Sequence, residues 1–213
     1  MKKVGISLIL NMLIVILVTI GFTFMFIGFK FMPGDTLLET TRLEVFKFYT
    51  VDSNILIGII SLILVIYEIK LLNGYIDKIP NFIYILKLIG TAGITLTFAT
   101  TAIFLVPQYG FYAMYNNNNL FFHLIVPLLS IISYVFYEKH DNKYRHALYG
   151  IIPMFIYSLY YIPSVFMHLD NITKYDFYGF LQGNINNVYV VIPTIYLITY
   201  LMSLLLVYLN RRT

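Results

Sequence analysis

Residues 4–29 read VGISLILNMLIVILVTIGFTFMFIGF, an apolar run without a charged side chain. A run of this length crosses the roughly 30 Å hydrocarbon core of a bilayer as an α-helix, which rises about 1.5 Å per residue. It follows Lys2 and Lys3, as in a signal peptide, but it extends beyond an apolar signal core of about 7–15 residues and lacks a small-residue cleavage site. We therefore expect it to remain in the mature protein as the first transmembrane helix.

Five further apolar runs have a similar length and composition. They lie at about 47–69, 82–107, 119–137, 146–167 and 187–209. Six spans with their turns use nearly all of the 213 residues, so no room is left for a separate catalytic domain. The sequence predicts an all-α fold, in which residues 1–213 form a single transmembrane domain built as a six-helix bundle.

The composition excludes several classes of protein. Apolar residue types make up 60% of the chain and charged types 11%, whereas soluble domains carry roughly a quarter charged residues. The absence of cysteine excludes disulfides, thiolate catalysis, iron–sulfur clusters and thiolate zinc sites. The net charge of +4 is scattered over the helix ends rather than gathered with aromatic residues in one stripe, so no nucleic-acid partner is predicted. No phosphate-binding loop or metalloprotease motif is present, and we expect neither a metal nor a cofactor.

The basic residues predict the orientation. With the N-terminus inside, ten lysines and arginines fall at inner helix ends and four fall outside. The inner ten are Lys2, Lys3, Lys70, Lys78, Lys87, Lys139, Lys143, Arg145, Arg211 and Arg212. Cytoplasmic loops carry the excess of basic residues, so both termini are predicted to be cytoplasmic in a multi-pass protein of the cell membrane. The outer connections 30–46, 116–119 and 168–186 hold more turn-forming and aromatic residues, which favours an active face toward the outer leaflet.

Polar residues enter the membrane at the outer ends of the second and fourth runs. Thr50, Asp52 and Asn54 open the second run, and His123 opens the fourth. Thr50 lies about three residues and His123 about four residues inside its run, so both are expected at a similar depth of about 5 Å. Matched depth permits a threonine–histidine pair, in which the imidazole activates the hydroxyl.

Each of these residues also has a purely structural interpretation. A threonine in a membrane helix commonly bonds the carbonyl of the preceding turn, and an interfacial histidine is commonly packed and hydrogen-bonded. Asp52 fits a solvated carboxylate near Lys47. Asn54 shares the face of Thr50, so it fits either an oxyanion donor or a hydrogen bond between helices.

A second group of ionisable residues lies between the fourth and fifth runs. His140 and His146 occur there with Glu138 and Asp141. A solvated cytoplasmic loop explains this group better than a metal site does.

The segments that contain Thr50 and His123, together with a third segment, resemble a known family. The segment 47–50, Lys-Phe-Tyr-Thr, places a threonine after aromatic residues at the outer end of the second helix, and His123 precedes Pro127 at the start of the fourth. The segment 178–181, Tyr-Gly-Phe-Leu, resembles a Tyr-Pro-Phe-Leu-like element, with glycine in place of proline. Together they resemble the androgen-induced and androgen-dependent TFPI-regulating membrane hydrolases and their bacterial relatives.

The resemblance implies an intramembrane threonine hydrolase that cleaves fatty acid esters of hydroxy fatty acids, with a membrane lipid as its partner. Thr50 would be the nucleophile and His123 the general base. Asn54, Asp52 and Tyr178 are the candidates for contacting the substrate or its oxyanion. The acid downstream of the threonine and the histidine-to-proline interval depart from the family spacing, so neither Asp52 nor Pro127 is carried over as catalytic.

Two other functions remain open. A membrane acyltransferase of related architecture would use the same two residues and differ only in its products. A non-enzymatic lipid-binding or transport protein is the other. A carrier ordinarily places charged or amide residues near the bilayer midplane, where these six runs contain Leu, Ile, Val, Gly, Ser and Thr, and this composition argues against transport. The sequence leaves the oligomeric state open.

Overall fold

The structure is a computed structural model that describes residues 2–33 and 40–213. Within these ranges six helices are long and apolar enough to cross a membrane: α1 Lys2–Ile27, α2 Tyr49–Leu72, α3 Asn81–Tyr109, α4 Asn118–Tyr137, α5 Tyr144–Phe166 and α6 Ile185–Arg212. The same part of the chain contains no strand. The predicted all-α six-helix fold is confirmed, and the chain is a multi-pass helical membrane protein.

Helix α3 is the centre of the bundle. It packs against α2, α4, α5 and α6, while α1 packs along α2 and against α4. Glycines let the backbones approach closely, as is common between membrane helices. Gly90 of α3 lies against Ile57 of α2, and Gly93 of α3 lies against Pro153 of α5.

In two helices a π-helical turn ends two residues before a proline. The turns are Thr101–Leu105 in α3 and Phe121–Ile125 in α4, and they precede Pro107 and Pro127. Proline lacks the amide hydrogen that a regular helix requires, so the hydrogen-bond pattern changes locally. Such turns occur frequently at functional sites, and the one in α4 contains His123.

The asparagine run 116–119 is buried and joins the segment that follows α1 to the start of α4. Asn117 Oδ1 accepts hydrogen bonds from the amides of Phe31 (2.8 Å) and Met32 (2.7 Å). Asn116 Nδ2 donates to the carbonyl of Pro33 at 3.1 Å. The run therefore fixes where α4 begins. Residues 34–39 of the predicted outer connection 30–46 lie outside the described residues.

Candidate active site

Thr50 lies in the first turn of α2. A 3-10 turn over Arg42–Lys47 and the extended residue Phe48 lead the chain into this helix. Thr50 is 8% exposed. The first amides of a helix have no partner within it, and the amide of Thr50 donates to the phenol oxygen of Tyr178 at 3.3 Å. The structure therefore brings together two of the residues selected from the sequence.

Tyr178 is held in place by a buried carboxylate in the connection between α5 and α6. Asp176 is 4% exposed and accepts hydrogen bonds from the hydroxyl of Tyr161 (2.6 Å) and from the amides of Phe180 (3.0 Å) and Leu181 (2.7 Å). Charge-assisted bonds of this kind are stronger than neutral ones. The carboxylate thus folds the loop around Tyr178.

The phenol of Tyr178 keeps its proton far above neutral pH. Burial raises its pKa to about 12, although hydrogen bonds from Thr50 act in the opposite direction. Its oxygen accepts the amide of Thr50 and also interacts with the side chain of Thr50. Tyr178 therefore presents a protonated phenol beside Thr50.

A small cavity adjoins Thr50. Its volume is about 30 Å³, and its lining includes Tyr178, Thr97, Thr100 and Tyr157. A water molecule needs roughly 10–15 Å³ of such space and two or more polar partners. The cavity therefore has room for a water molecule next to the threonine.

A larger groove of about 390 Å³ lies between α3 and α6 and continues from this cavity. The two share Leu96, Thr100, Phe180 and Ile195. The rest of the groove is mainly apolar. Its lining includes Ile103, which is 76% exposed and, in a membrane-spanning bundle, faces lipid. The groove connects the surroundings of Thr50 with the hydrocarbon of the bilayer.

Asn54 joins α2 to α4. Its Nδ2 donates to the carbonyl of Thr50 at 2.7 Å and to the carbonyl of Phe122 at 3.2 Å. Both amide hydrogens are therefore engaged with the backbone. The arrangement matches the helix-joining interpretation of Asn54 and leaves Tyr178 as the better-placed oxyanion donor.

His123 is buried in the π-helical turn of α4, at 2% exposure. Its Nδ1 lies 2.7 Å from the carbonyl of Met114, and a carbonyl can only accept, so Nδ1 carries the hydrogen. The neutral ring then has its lone pair on Nε2, which has no hydrogen-bond partner within the described chain. This is the tautomer that a general base requires.

No direct hydrogen bond joins Thr50 to His123, and His123 does not line the cavity beside Thr50. The Asn54 bond to Phe122 brings their two segments together one residue away from His123. Thr50 is the second residue of α2 and His123 the sixth of α4, so counting from the two helix starts does not give the equal depth predicted from the sequence. The reason is that the turn over 42–47 delays the start of α2.

Asp52 has no ion-pair partner among the described residues, and it is half-buried. Lys47, the partner considered from the sequence, instead lies 3.4 Å from Glu44. No hydrogen bond joins Asp52 to Thr50 within the described chain.

The structure reveals a buried polar cluster that the sequence interpretation missed. Lys87, counted above as an inner-end charge, is fully buried, so nine of the ten basic residues assigned to the predicted inner ends remain as orientation signals. Its neighbours include Asn11, Glu68 and Glu138, each at most 1% exposed. The sequence signal was present: Asn11 interrupts the first apolar run, and Lys87 is the one charged residue of the third.

The connection between α4 and α5 is only partly solvated, so the solvated-loop interpretation is wrong for Glu138, His140 and His146, the last of which is 6% exposed. Glu138 is 1% exposed, and the ring of His140 stacks on Tyr84 with centroids 4.8 Å apart. Burial lowers the pKa of His140. Among residues 2–33 and 40–213 no three His, Asp or Glu side chains are grouped as a metal site.

Comparisons with family models, curated proteins and solved structures find no match to this chain.

Proposed function

We propose that this protein is an intramembrane hydrolase of acyl esters, such as fatty acid esters of hydroxy fatty acids, with Thr50 as nucleophile and His123 as general base. The observation that carries the proposal is the position of Thr50. Its buried side chain lies beside the protonated phenol of Tyr178 and a water-sized cavity, into which an apolar groove leads.

The groove between α3 and α6 suits a fatty acyl chain. Its lining is mainly hydrocarbon and it opens toward the lipid, so an acyl chain enters it without crossing water. The shared residues Leu96 and Ile195 then guide the chain toward the cavity, where the ester carbonyl comes to lie at Thr50.

The first half of the reaction forms an acyl-threonine ester. The Thr50 hydroxyl oxygen attacks the carbonyl carbon, and its proton moves to Nε2 of His123. The negative charge that develops on the carbonyl oxygen accepts a hydrogen bond from the phenol of Tyr178, which burial keeps protonated. The tetrahedral intermediate collapses, and the leaving alkoxide takes the proton from His123 to depart as a hydroxy acid.

The second half releases the acid. His123 removes a proton from a water molecule, whose oxygen attacks the acyl-threonine carbonyl, and the Thr50 oxygen leaves with that proton. Because Thr50 and His123 share no direct hydrogen bond, a water molecule or a tightening of the site on substrate binding must link them. The cavity provides space for a water molecule beside Thr50, and because His123 does not line it, a tightening of the site on substrate binding must bring Nε2 to that water.

The test is hydrolysis by purified protein in lipid. Thr50→Ala and His123→Ala should each lower turnover by roughly 10³-fold or more, and the double variant should be little worse, because the two groups act as a unit. The matched control is Thr95→Ala, which changes a partly buried threonine of α3 that lines neither the cavity nor the groove. Full activity in Thr50→Ala would refute the proposal.

Labelled water separates a hydrolase from the acyltransferase alternative. With a hydrolase, one oxygen of the released acid comes from the labelled water. An acyltransferase delivers the acyl group to another alcohol, and its product carries no label.

We also propose that Thr50 lies in the outer leaflet of the cell membrane, with both termini cytoplasmic. The nine inner basic residues against four outer ones support this orientation. The chain has no cysteine, so a thiol reagent labels only the single cysteine that is introduced. A cysteine at the exposed Asp77 should resist an impermeant reagent applied to intact cells, and one at the exposed Thr173 should react. The reverse pattern would overturn the orientation.

A further inference from the structure

Lys87 is enclosed by partners from three other helices. Its Nζ donates to Asn11 Oδ1 of α1 (2.5 Å) and to Ser61 Oγ of α2 (2.9 Å), and it lies 3.7 Å from Glu138 Oε1 at the end of α4. The side chains of Lys87 and Glu138 are both 0% exposed. A charge buried in this way is stable only when it is paired and hydrogen-bonded, and the ammonium group of Lys87 satisfies both conditions.

Only one of the two carboxylate oxygens of Glu138 has hydrogen-bond partners within the described chain. Its Oε1 accepts hydrogen bonds from Ser133 Oγ (2.5 Å) and Asn11 Nδ2 (3.0 Å), in addition to facing Lys87. Its Oε2 is buried without any partner. One oxygen thus forms the ion pair, while the other still has the capacity to accept a hydrogen bond.

Glu68 of α2 brings a second carboxyl group to the same place. It is 1% exposed, it lies beside Ser7 of α1, and it interacts electrostatically with both Lys87 and Glu138. Its Oε2 is also buried without a partner. Two carboxyl groups and one ammonium group therefore share one enclosed cluster.

The charges in this cluster do not balance if every group is ionised. The ammonium of Lys87 neutralises one carboxylate, and its contact with Glu138 identifies which one. A second carboxylate would be an uncompensated charge in a medium of low dielectric, which costs several kcal/mol. A single bound proton removes that charge and supplies a donor for an unpartnered carboxylate oxygen.

We propose that the cluster of Lys87, Glu68 and Glu138 is a proton-binding site that holds one proton, carried by Glu68, on the half of the bundle opposite to Thr50. The proposal is independent of the ester hydrolase function. It assigns the site a ligand of unit positive charge, and the proton fits because it is small and the buried oxygen of Glu68 without a partner can carry it.

The remaining titratable groups around the site do not change this balance. Tyr84 of α3 interacts with both carboxyl groups, and as a phenol it is neutral. His140 stacks on Tyr84, and its burial favours the neutral ring. Lys139 is directed away, toward the carbonyls of Val135 and Asn210. Helix α6 contributes the neutral amide of Asn210, which donates to the backbone carbonyl of Glu138.

Infrared spectroscopy counts the proton directly, because a protonated carboxyl group has its own C=O stretching band, separate from those of carboxylates and amides. The protein is reconstituted in lipid at neutral pH. All variants carry Asp52→Asn, which removes the half-buried carboxyl group near the N-terminal end of α2. Charge balance then predicts the intensity of the buried carboxyl band in each variant.

The expected numbers of protonated groups differ among the variants. The parent protein should show one, and Glu68→Gln and Glu138→Gln should each show none, since a single carboxylate then pairs with Lys87. Lys87→Met should show two, and Lys87→Met combined with Glu138→Gln should show one. Glu68→Gln is isosteric with the protonated acid and is expected to fold, so this comparison does not depend on the lysine variants.

Several results would overturn the proposal. A band that survives in Glu68→Gln, or no band in the parent protein, would show that Glu68 holds no proton. An unchanged band in folded Lys87→Met would show that charge balance does not control the site. Loss of the parent band on adding sodium or lithium ions at constant pH would assign the site to a metal cation instead.

Discussion

The side-chain amide of Asn54 donates to the backbone carbonyl of Phe122, with 3.2 Å between nitrogen and oxygen. The same nitrogen bonds the carbonyl of Thr50 at 2.7 Å. One buried amide therefore connects the residue proposed as nucleophile with the residue that precedes the proposed base. The relative position of the two helices at the candidate site depends on this side chain.

Replacing Asn54 by leucine should destabilise the protein by about 1–3 kcal/mol. The change keeps similar volume but leaves two buried carbonyl groups without this donor. Thermal unfolding in detergent measures the loss, and Asn186→Leu, at an exposed position, is the control. A melting temperature equal to that of the wild type would show that the bond contributes nothing to the α2–α4 contact.

Tyr178→Phe should lower ester hydrolysis by roughly 10²–10³-fold, the usual effect of removing one oxyanion donor. The aromatic ring remains, so the loss of stability should be only about 1 kcal/mol. Tyr160→Phe is the control, since Tyr160 is 49% exposed. Equal losses of hydrolysis in both variants would show that Tyr178 plays no part in the reaction.

The pH dependence of Tyr178 follows from its raised pKa. Free tyrosine ionises near pH 10, whereas the phenol of Tyr178 has a pKa of about 12. The folded state binds this proton more tightly, so the stability contribution is complete below pH 10 and is lost as the pH rises to about 12. The difference in tyrosinate absorbance between wild type and Tyr178→Phe should therefore develop only above pH 10. Ionisation at or below pH 10 would contradict the buried, protonated donor.

Asp176→Asn should loosen the connection between α5 and α6. Asparagine has one acceptor oxygen where aspartate uses two, so at least one of the bonds from Tyr161, Phe180 and Leu181 is lost. We expect a loss of about 1–3 kcal/mol and faster proteolysis of residues 167–184. Asp170→Asn, at an exposed position in the same connection, should leave the proteolysis rate unchanged.

Gly21→Ala should strain the contact between α1 and α4. A Cβ atom at Gly21 would lie 2.7 Å from Cε1 of Phe122, which is fully buried. Overpacking of this kind costs about 1–3 kcal/mol. Gly5→Ala is the matched control, because nothing lies within 4 Å of that position and alanine is the better helix former. Equal melting temperatures for the two variants would show that Phe122 moves away freely.

The helices were predictable from the sequence because their signal is local. Each apolar run is long enough to span a bilayer, and each observed helix boundary lies within three residues of the predicted one. Thr50 was likewise expected near the outer end of its helix. The contact between Thr50 and Tyr178 joins residues 128 positions apart and depends on the loop around Asp176, which no local pattern encodes.

The buried cluster was missed for a related reason. Lys87 and Glu138 each occur near a helix end, where charged residues commonly serve as orientation signals or solvated groups. Which helix face meets its neighbours decides whether such a residue is buried, and that choice depends on the packing of four helices. Asn11 was the clearest local sign, since an amide two turns inside an apolar run needs a partner.

The groove between α3 and α6 has a consequence for how the proposed reaction is measured. Its lining faces lipid, so the concentration that governs its occupancy is the mole fraction of ester within the bilayer. Diluting the substrate with inert phospholipid at constant total amount should therefore slow turnover, whereas diluting the whole vesicle suspension with buffer should leave the rate per protein unchanged.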